Sequence, residues 1–231
     1  VEFRKGPYHA AVGDFSSTGS AHLSTFRELP ESILKVGIGQ DGHRQLLVAD
    51  SVAAGNGSLL YAAQGHVYDG PWVDINEDLQ RVNGLLRYSQ QSERGDQWDI
   101  MLMGYDANWN SPDQIAQRAI DSGLVDRLGS LDPTIGGETS RYSLSGSLLR
   151  QFSGDRHLHG HAYVIDYDLD LFSNFTYFLD DPVNGDQFEQ IDDRWIVGLG
   201  LDHRWSGQDL SATYRPIGLG HHQDHLVPAR N

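Results

Sequence analysis

The chain has 231 residues, no cysteine, 26 glycines and a formal charge of -15. That charge excludes a basic phosphate-binding stripe, so no nucleic-acid partner is expected; the missing thiols exclude a disulfide framework and a cysteine nucleophile. With 39% hydrophobic residues and no run near the roughly 20 apolar residues of a spanning helix, a helical membrane bundle is excluded too, whereas a membrane barrel, apolar only at alternate strand positions, stays open.

The opening stretch, Val1 to Phe26, begins as a short strand on Val1-Glu2-Phe3-Arg4 and stops at Gly6-Pro7, where proline fixes φ and removes an amide donor. Starting in mid-strand and without an initiator methionine, it leads us to expect a piece of a longer polypeptide. Small residues follow (Gly13, Ser16, Ser17, Gly19, Ser20), then a second short strand over Ala21 to Phe26. Small side chains at this density suit backbone packed closely on other backbone or held in a narrow enclosure.

Period-two alternation then recurs to near the end of the chain. Arg81 to Gln90 sets Val82, Gly84, Leu86 and Tyr88 against Arg81, Asn83, Leu85 and Arg87. Arg141 to Arg150 sets Tyr142, Leu144, Gly146 and Leu148 against Arg141, Ser143, Ser145 and Ser147. In Tyr163 to Leu171 the set Tyr163, Ile165, Tyr167, Leu169 and Leu171 opposes Val164, Asp166, Asp168 and Asp170, which predicts the three aspartates on a polar face. The clearest strand is Arg194 to Trp205, with Trp195, Val197, Leu199, Leu201, His203 and Trp205 opposed to Arg194, Ile196, Gly198, Gly200, Asp202 and Arg204. Further strands are read at Ile33 to Gly39, Gln45 to Ala54, Leu59 to Asp69, Gln97 to Asn108 and Asp209 to Arg215. An apolar face bounded by tryptophan meets a second sheet in a sandwich or lipid in a barrel.

The connections alternate in length. Gln40–His43, Gly70–Glu77, Trp109–Glu138 and Asn174–Asp192 fall at one end, the last two being long. Gly55–Ser58, Gln91–Asp96, Phe152–Arg156 and Ser206–Gln208 fall at the other and stay short, the asymmetry of outer-membrane barrels. Within the longest connection, Ser111 as cap, Pro112 at the first position and Gly123 as stop predict a short helix. After Tyr214 the alternation is lost.

The residues Glu2, Lys5, Gly6, Pro7, Gly13, Asp14, Phe15 and Gly19 resemble the last part of the plug domain of TonB-dependent outer-membrane receptors. Val12 stands where many members have Tyr, and His22 where Asn is usual. "YDGPW" (Tyr68 to Trp72) and "GSLDPTIGGETSRYSLSG" (Gly129 to Gly146) extend the resemblance into the barrel, to about Tyr214. It implies an all-β fold: residues 1–28 as the end of the plug, and 29–231 as roughly nine strands of a transmembrane antiparallel barrel that in such transporters has about 22. It also implies a bacterial outer-membrane location and active uptake of a scarce nutrient, such as a ferric siderophore, another metal chelate or a cobalamin-like molecule. The partners would be that small-molecule ligand, outer-membrane lipid and a TonB-type energy transducer, whose contact segment is expected outside these residues. Glu2, Arg4, Lys5, Gly6 and Pro7 are the plug–barrel contacts it implies.

For chemistry, Asp166, Asp168 and Asp170, with Arg141 and Arg81, are candidates along a ligand path through a polar lumen; the plain alternative is a solvated polar face. His157, His159 and His161 share one face, either as a metal-binding set or as interfacial histidines beside a turn. His221, His222 and His225 form a second group near the end. No carboxylate pair or nucleophile elbow is defined, so neither an enzyme nor a cofactor is expected. The competing class is a soluble secreted β-sandwich that binds carbohydrate or protein through its long loops; a passive porin would bring no plug.

Overall fold

The alternating segments fold into one large antiparallel sheet. The structure, a computed structural model, describes residues 1–6, 8, 17–112, 114–152, 156–205, 208–214 and 220–226, with side chains up to residue 203. The chain is all-β, 59% strand and 3% helix. A small pair, β1 (Glu2–Lys5) with β2 (Gly19–His22), precedes the main sheet. The sheet runs through β3 (Ile33–Ile38), β4 (Arg44–Ala54), β5 (Gly57–Tyr68), β6 (Leu79–Gln91), β7 (Gln97–Asn110), β8 (Gly136–Gln151), β9 (His157–Ser173) and β10 (Phe188–Trp205). Each of these pairs with its sequence neighbour, and β11 (Gln208–Tyr214) and β12 (Gly220–Leu226) complete ten strands. Among the described residues the sheet does not close on itself: β3 forms one edge, and β11 with β12 forms the other.

The turn end holds the connections 55–56, 92–96, 152–156 and 206–207. At the loop end lie 39–43, 69–78, 111–135 and 174–187, so the predicted asymmetry is present. The β4–β5 connection is a two-residue turn with Gly55 at φ 59, the positive value that its first position needs.

Two expectations change. The helix, α1, is confined to Gln117–Asp121, with extended Ala116 before it and no side-chain cap. Ser111 is not its cap, because the Ser111 amide donates to the Ile135 carbonyl (3.1 Å) and so extends the β7–β8 ladder; Gly123 does end the turn, at φ 71. Asp113 lies outside the described residues. The tail is not patternless either, since Gly220–Leu226 is a strand paired with Phe188–Arg194. Its histidines stand opposite Glu189, Asp192 and Asp193, at the polar end of β10, where there is no apolar band to impose an alternation.

The register sorts the side chains into two faces, because directly paired residues project to the same side. One face carries rows of apolar residues across the strands. Leu86, Leu102, Leu144, Val164 and Val197 form a single registered row. Leu86, Leu102, Leu144 and Val197 in it are exposed. Trp98, Leu148 and Leu201 bound this band towards the turn end, and Tyr142 and Trp195 towards the loop end. In β3, however, the band continues to Ile38, two rows further towards the loops than Trp195. The apolar band therefore crosses the strands obliquely.

The opposite face carries the charged and hydroxyl residues Arg81, Arg87, Asp99, Arg141, Ser143, Ser145 and Ser147, interspersed with Leu85, Met101 and Met103, and its buried residues include Ala49, Leu60 and Ala107; it is the more polar of the two. Here β9 departs from the reading of its sequence. Asp166 pairs with Tyr142 and Trp195, and Val164 with Leu144 and Val197, so the aspartates share the exposed apolar face. Tyr163, Ile165 and Tyr167 lie on the polar face with Ser145, Ser143 and Arg141. The reason is packing. Gly198 and Gly200 of β10 leave room on that face, and the rings of Tyr163 and His161 lie across them, so that a Cβ at either glycine would collide with the ring.

Candidate functional site

On the polar face, the segment that joins β2 to β3 crosses the sheet as a strap. The Leu29 amide donates to Ser51 Oγ on β4 (2.8 Å), and Thr25 Oγ1 approaches Met101 Sδ on β7 (3.7 Å). Arg87 of β6 is the central fastening. Its Nη1 donates to the Thr25 carbonyl (2.8 Å), to Thr25 Oγ1 (2.7 Å) and, more weakly, to the Phe26 carbonyl (3.4 Å). Its Nη2 is held by Asp99 of β7 (3.1 Å), which also accepts from Ser147 Oγ of β8 (2.6 Å). The two charged side chains are mostly buried, with 12% and 14% of their surface exposed. A guanidinium with five donors suits this role, because it satisfies a carboxylate and two backbone carbonyls at once.

Among the described residues the contacts with the sheet come from this strap rather than from Glu2, Arg4, Lys5 or Gly6. Glu2 and Arg4 pair with each other (2.9 Å) on an exposed strand, and Lys5 is exposed as well. Gly6 turns the chain at φ 79 and donates its amide to Thr18, closing the β1–β2 pair. Pro7 lies outside the described residues. Thr25, Phe26 and Leu29 touch the sheet, and no side-chain pattern singles them out, because all three do so through backbone groups, to which only Thr25 adds its side chain.

Arg141 and Arg81 do share this face. Arg141 lies in a concavity of about 540 Å³ with Leu47, Gln64, Asn83, Tyr105 and Ser143. Asn83 Nδ2 donates to Gln64 Oε1 there (3.0 Å). Arg81 sits one register row nearer the loops. Its Nη2 lies 3.1 Å from His66 Nδ1, and His66 Nε2 lies 3.1 Å from His43 Nδ1. Arginine offers only donors, so His66 accepts at Nδ1 and donates from Nε2, which fixes its tautomer. Arg194 lies 4.9 Å above the Tyr167 ring and 3.3 Å from Asp192, extending the cationic row across β10.

Asp166, Asp168 and Asp170 are not brought to this wall. With Asp106, Ser140, Glu138 and Asp193 they form a polar margin on the opposite face, just beyond the apolar band. The physical cause is the swapped phase of β9, whose apolar alternate residues are needed against the glycines of β10.

The loop end contains a polar lock with no signature in the sequence. Asp132 in the 111–135 loop accepts from the Thr134 amide (3.0 Å) and hydroxyl (2.6 Å) and from Asn174 Nδ2 (2.8 Å). Gln187 Nε2 adds a bond to Asp132 (3.2 Å) and one to Thr134 Oγ1 (2.7 Å), with Gln187 wholly buried. Asp186, next in sequence, is also buried and accepts from the amides of Leu179, Asp180 and Asp181. Burial pushes its carboxyl up, but the amides of Asp181, Asp180 and Leu179 and the Thr176 hydroxyl outweigh that and hold it down at about 2. The 69–78 loop joins the cluster through the Val73 amide to the Leu128 carbonyl (3.0 Å) and the Asn110 amide to the Glu77 carbonyl (2.7 Å). Three loops are thus tied by hydrogen bonds into one cap at the loop end of the sheet.

No family model, curated protein or solved structure matches this chain.

Proposed function

We propose that the main sheet is part of the wall of a transmembrane β-barrel, and that residues 1–28 are the end of a segment seated against its inner surface, in an outer-membrane receptor of the TonB-dependent kind. The activity is uptake of a scarce nutrient, such as a ferric siderophore or another metal chelate. The loop cap would meet the ligand outside, and the polar wall, with Arg141 and Arg81, would line its path. A TonB-type partner would supply the energy that shifts the strap. No step in this activity needs bond making by the protein.

The observation that carries the reading is the division of labour between faces. The apolar rows around Leu102 and Leu144 are exposed, whereas the opposite face carries the arginines Arg81, Arg87 and Arg141 and the strap. In water such a surface is a large liability; in a bilayer it is the surface that a barrel presents to lipid. The oblique course of the band supports the same view, because barrel strands tilt by about 35–45° while the bilayer is flat, so its boundary cuts across registered rows. The competing sandwich needs a second sheet over Leu102, Leu144 and Val197. Among the described residues the only other sheet is the four-residue pair β1–β2, too small for that task.

The absence of cysteine makes the test direct. Single cysteines at Leu102, Leu144 or Val197 and at Ser143 or Ser145 would carry an environment-sensitive fluorophore, with the chain reconstituted in phosphatidylcholine vesicles. Labels at the first three positions should be quenched by bromine on the acyl chains, and labels at the serines by iodide in the water. Equal iodide quenching on both faces would overturn the proposal.

A further inference from the structure

The polar face has a cluster at its turn end that plays no part in the strap, the arginine row or the loop cap. His159 of β9 is the direct register partner of Asp202 of β10, and His159 Nδ1 lies 3.6 Å from Asp202 Oδ2. His161, two residues along the same face, is the register partner of Gly200. In an ordinary sheet this diagonal neighbour would stand roughly 7–8 Å away from the pair. Gly200 changes that. Because it has no side chain, the His161 ring folds down over its Cα, where any Cβ would collide with the ring. The His159 and His161 rings come to 5.8 Å, centroid to centroid, at 34°. One donor atom from each of His159, His161 and Asp202 then lies within 4.8 Å of the other two.

We propose that His159, His161 and Asp202 form a binding site for a borderline divalent transition metal such as Zn²⁺, Co²⁺ or Ni²⁺. Two imidazoles and one carboxylate are the donor set these ions accept, whereas Ca²⁺ and Mg²⁺ select oxygen ligands. With bonds of about 2.0–2.2 Å, two ligand atoms on one such ion lie about 3.3 Å apart, so modest side-chain rotation closes the present triangle. His159 and Asp202 are both 44% exposed and have room for that rotation. Three protein ligands leave a coordination position for water or for a donor from a passing molecule. The site belongs to the sheet whether or not the sheet lines a barrel, so it stands apart from the uptake reading.

The test is titration of the full chain, folded in detergent, with CoCl₂ followed by visible absorption, and with ZnCl₂ in competition. A single Co²⁺ site displaced by Zn²⁺ and indifferent to excess Ca²⁺ is the expected result. Asp202→Asn and a His159→Gln/His161→Gln pair should each weaken Co²⁺ binding more than about tenfold. Gly200→Ala, which keeps all three ligands but displaces the His161 ring, should also weaken it. A His221→Ala/His222→Ala/His225→Ala chain should bind as the parent does. Variants are compared only where their β circular dichroism matches the parent. If none of them folds, protection of His159 and His161 from diethyl pyrocarbonate by Zn²⁺, read by mass spectrometry, decides. The proposal is overturned if binding follows the terminal histidines, if Ca²⁺ competes equally, or if Zn²⁺ gives no protection.

Discussion

The ring of Tyr163 lies across the backbone of Gly198, filling the space that any larger residue of β10 would occupy. With the His161 ring over Gly200, this contact fits β9 to β10 in the observed phase. With Tyr163 committed to the polar side, Val164 joins Leu144 and Val197 in the apolar band, and Asp166, Asp168 and Asp170 reach the margin of that same face. A glycine in a strand interior costs conformational entropy, and packing an aromatic ring over it recovers part of that cost.

Gly198→Ala should therefore destabilise the folded chain by about 1–3 kcal/mol, the usual cost of overfilling a packed site. Tyr163→Ala alone should destabilise as well, through lost ring contact. Combined, the two changes should cost less than their sum, because the added methyl then meets no ring. Urea midpoints of the four chains in detergent measure this coupling, and strict additivity would show that the ring and the glycine are independent.

Arg87→Met should release the strap. It removes the donors to Thr25 and Phe26 and leaves Asp99 with Ser147 as its remaining described partner. A lost hydrogen bond to a charged group costs about 1.5–3 kcal/mol. Arg27 lies in the strap and is exposed, so trypsin cleavage after Arg27 reads the release directly. The expected result is faster cleavage there in Arg87→Met, with the rest of the sheet equally resistant. Unchanged cleavage would mean that Arg87 does not hold the strap.

Much of this arrangement is legible in the amino-acid sequence. The alternation of Tyr142 to Leu148 against Arg141 to Ser147 fixed both the strand and its faces, and Gly55 marked a tight turn. The phase of β9 was not legible, because its own composition points the wrong way: Tyr163, Ile165 and Tyr167 are more apolar than their neighbours, and the glycines of the next strand explain why they share the face of Arg141 and Ser143. Thr25 and Leu29 were hidden for another reason, since they contact the sheet largely through backbone groups that carry no residue-type signal. The Asp132–Asn174–Gln187 lock joins residues from two separate loops, and no spacing rule links them.

The 174–187 loop should open on acidification. Asp186 has its carboxyl held at about 2 from an ordinary 3.8, with burial opposing and the Asp181, Asp180 and Leu179 amides and Thr176 hydroxyl prevailing. A depressed carboxyl stabilises the fold fully above its unfolded value and loses that contribution as pH falls through its folded value. The loss thus falls between about pH 4 and pH 2. Hydrogen exchange at the amides of Leu179 to Asp181 should rise across that window in the parent, after correction for the intrinsic pH dependence. In Asp186→Asn those amides should already exchange fast at pH 7, and a slow, pH-independent pattern in both chains would exclude this role.

A positive charge in the middle of the apolar band distinguishes lipid from any protein cover. Leu102 lies between Leu86 and Leu144 in a row inside the band, one row from Tyr142 and two from Trp98 and Leu148 at the turn-end boundary. Leu102→Arg should cost about 2–4 kcal/mol if that row sits at the bilayer midplane, falling towards zero for the same change nearer the interfaces. Leu148→Arg, towards the turn end of the band, should therefore cost less than Leu102→Arg. Ser145→Arg, on the polar face, should be nearly neutral unless it collides with a neighbour. Folding yields in phosphatidylcholine vesicles across a urea series give the three values. A depth-graded penalty on one face alone is what a membrane slab imposes, because its dielectric changes along the normal; a protein cover would penalise each position by its own packing, with no such gradient. Equal costs at positions 102 and 148 would therefore place this face against protein and remove the physical basis for a transmembrane wall.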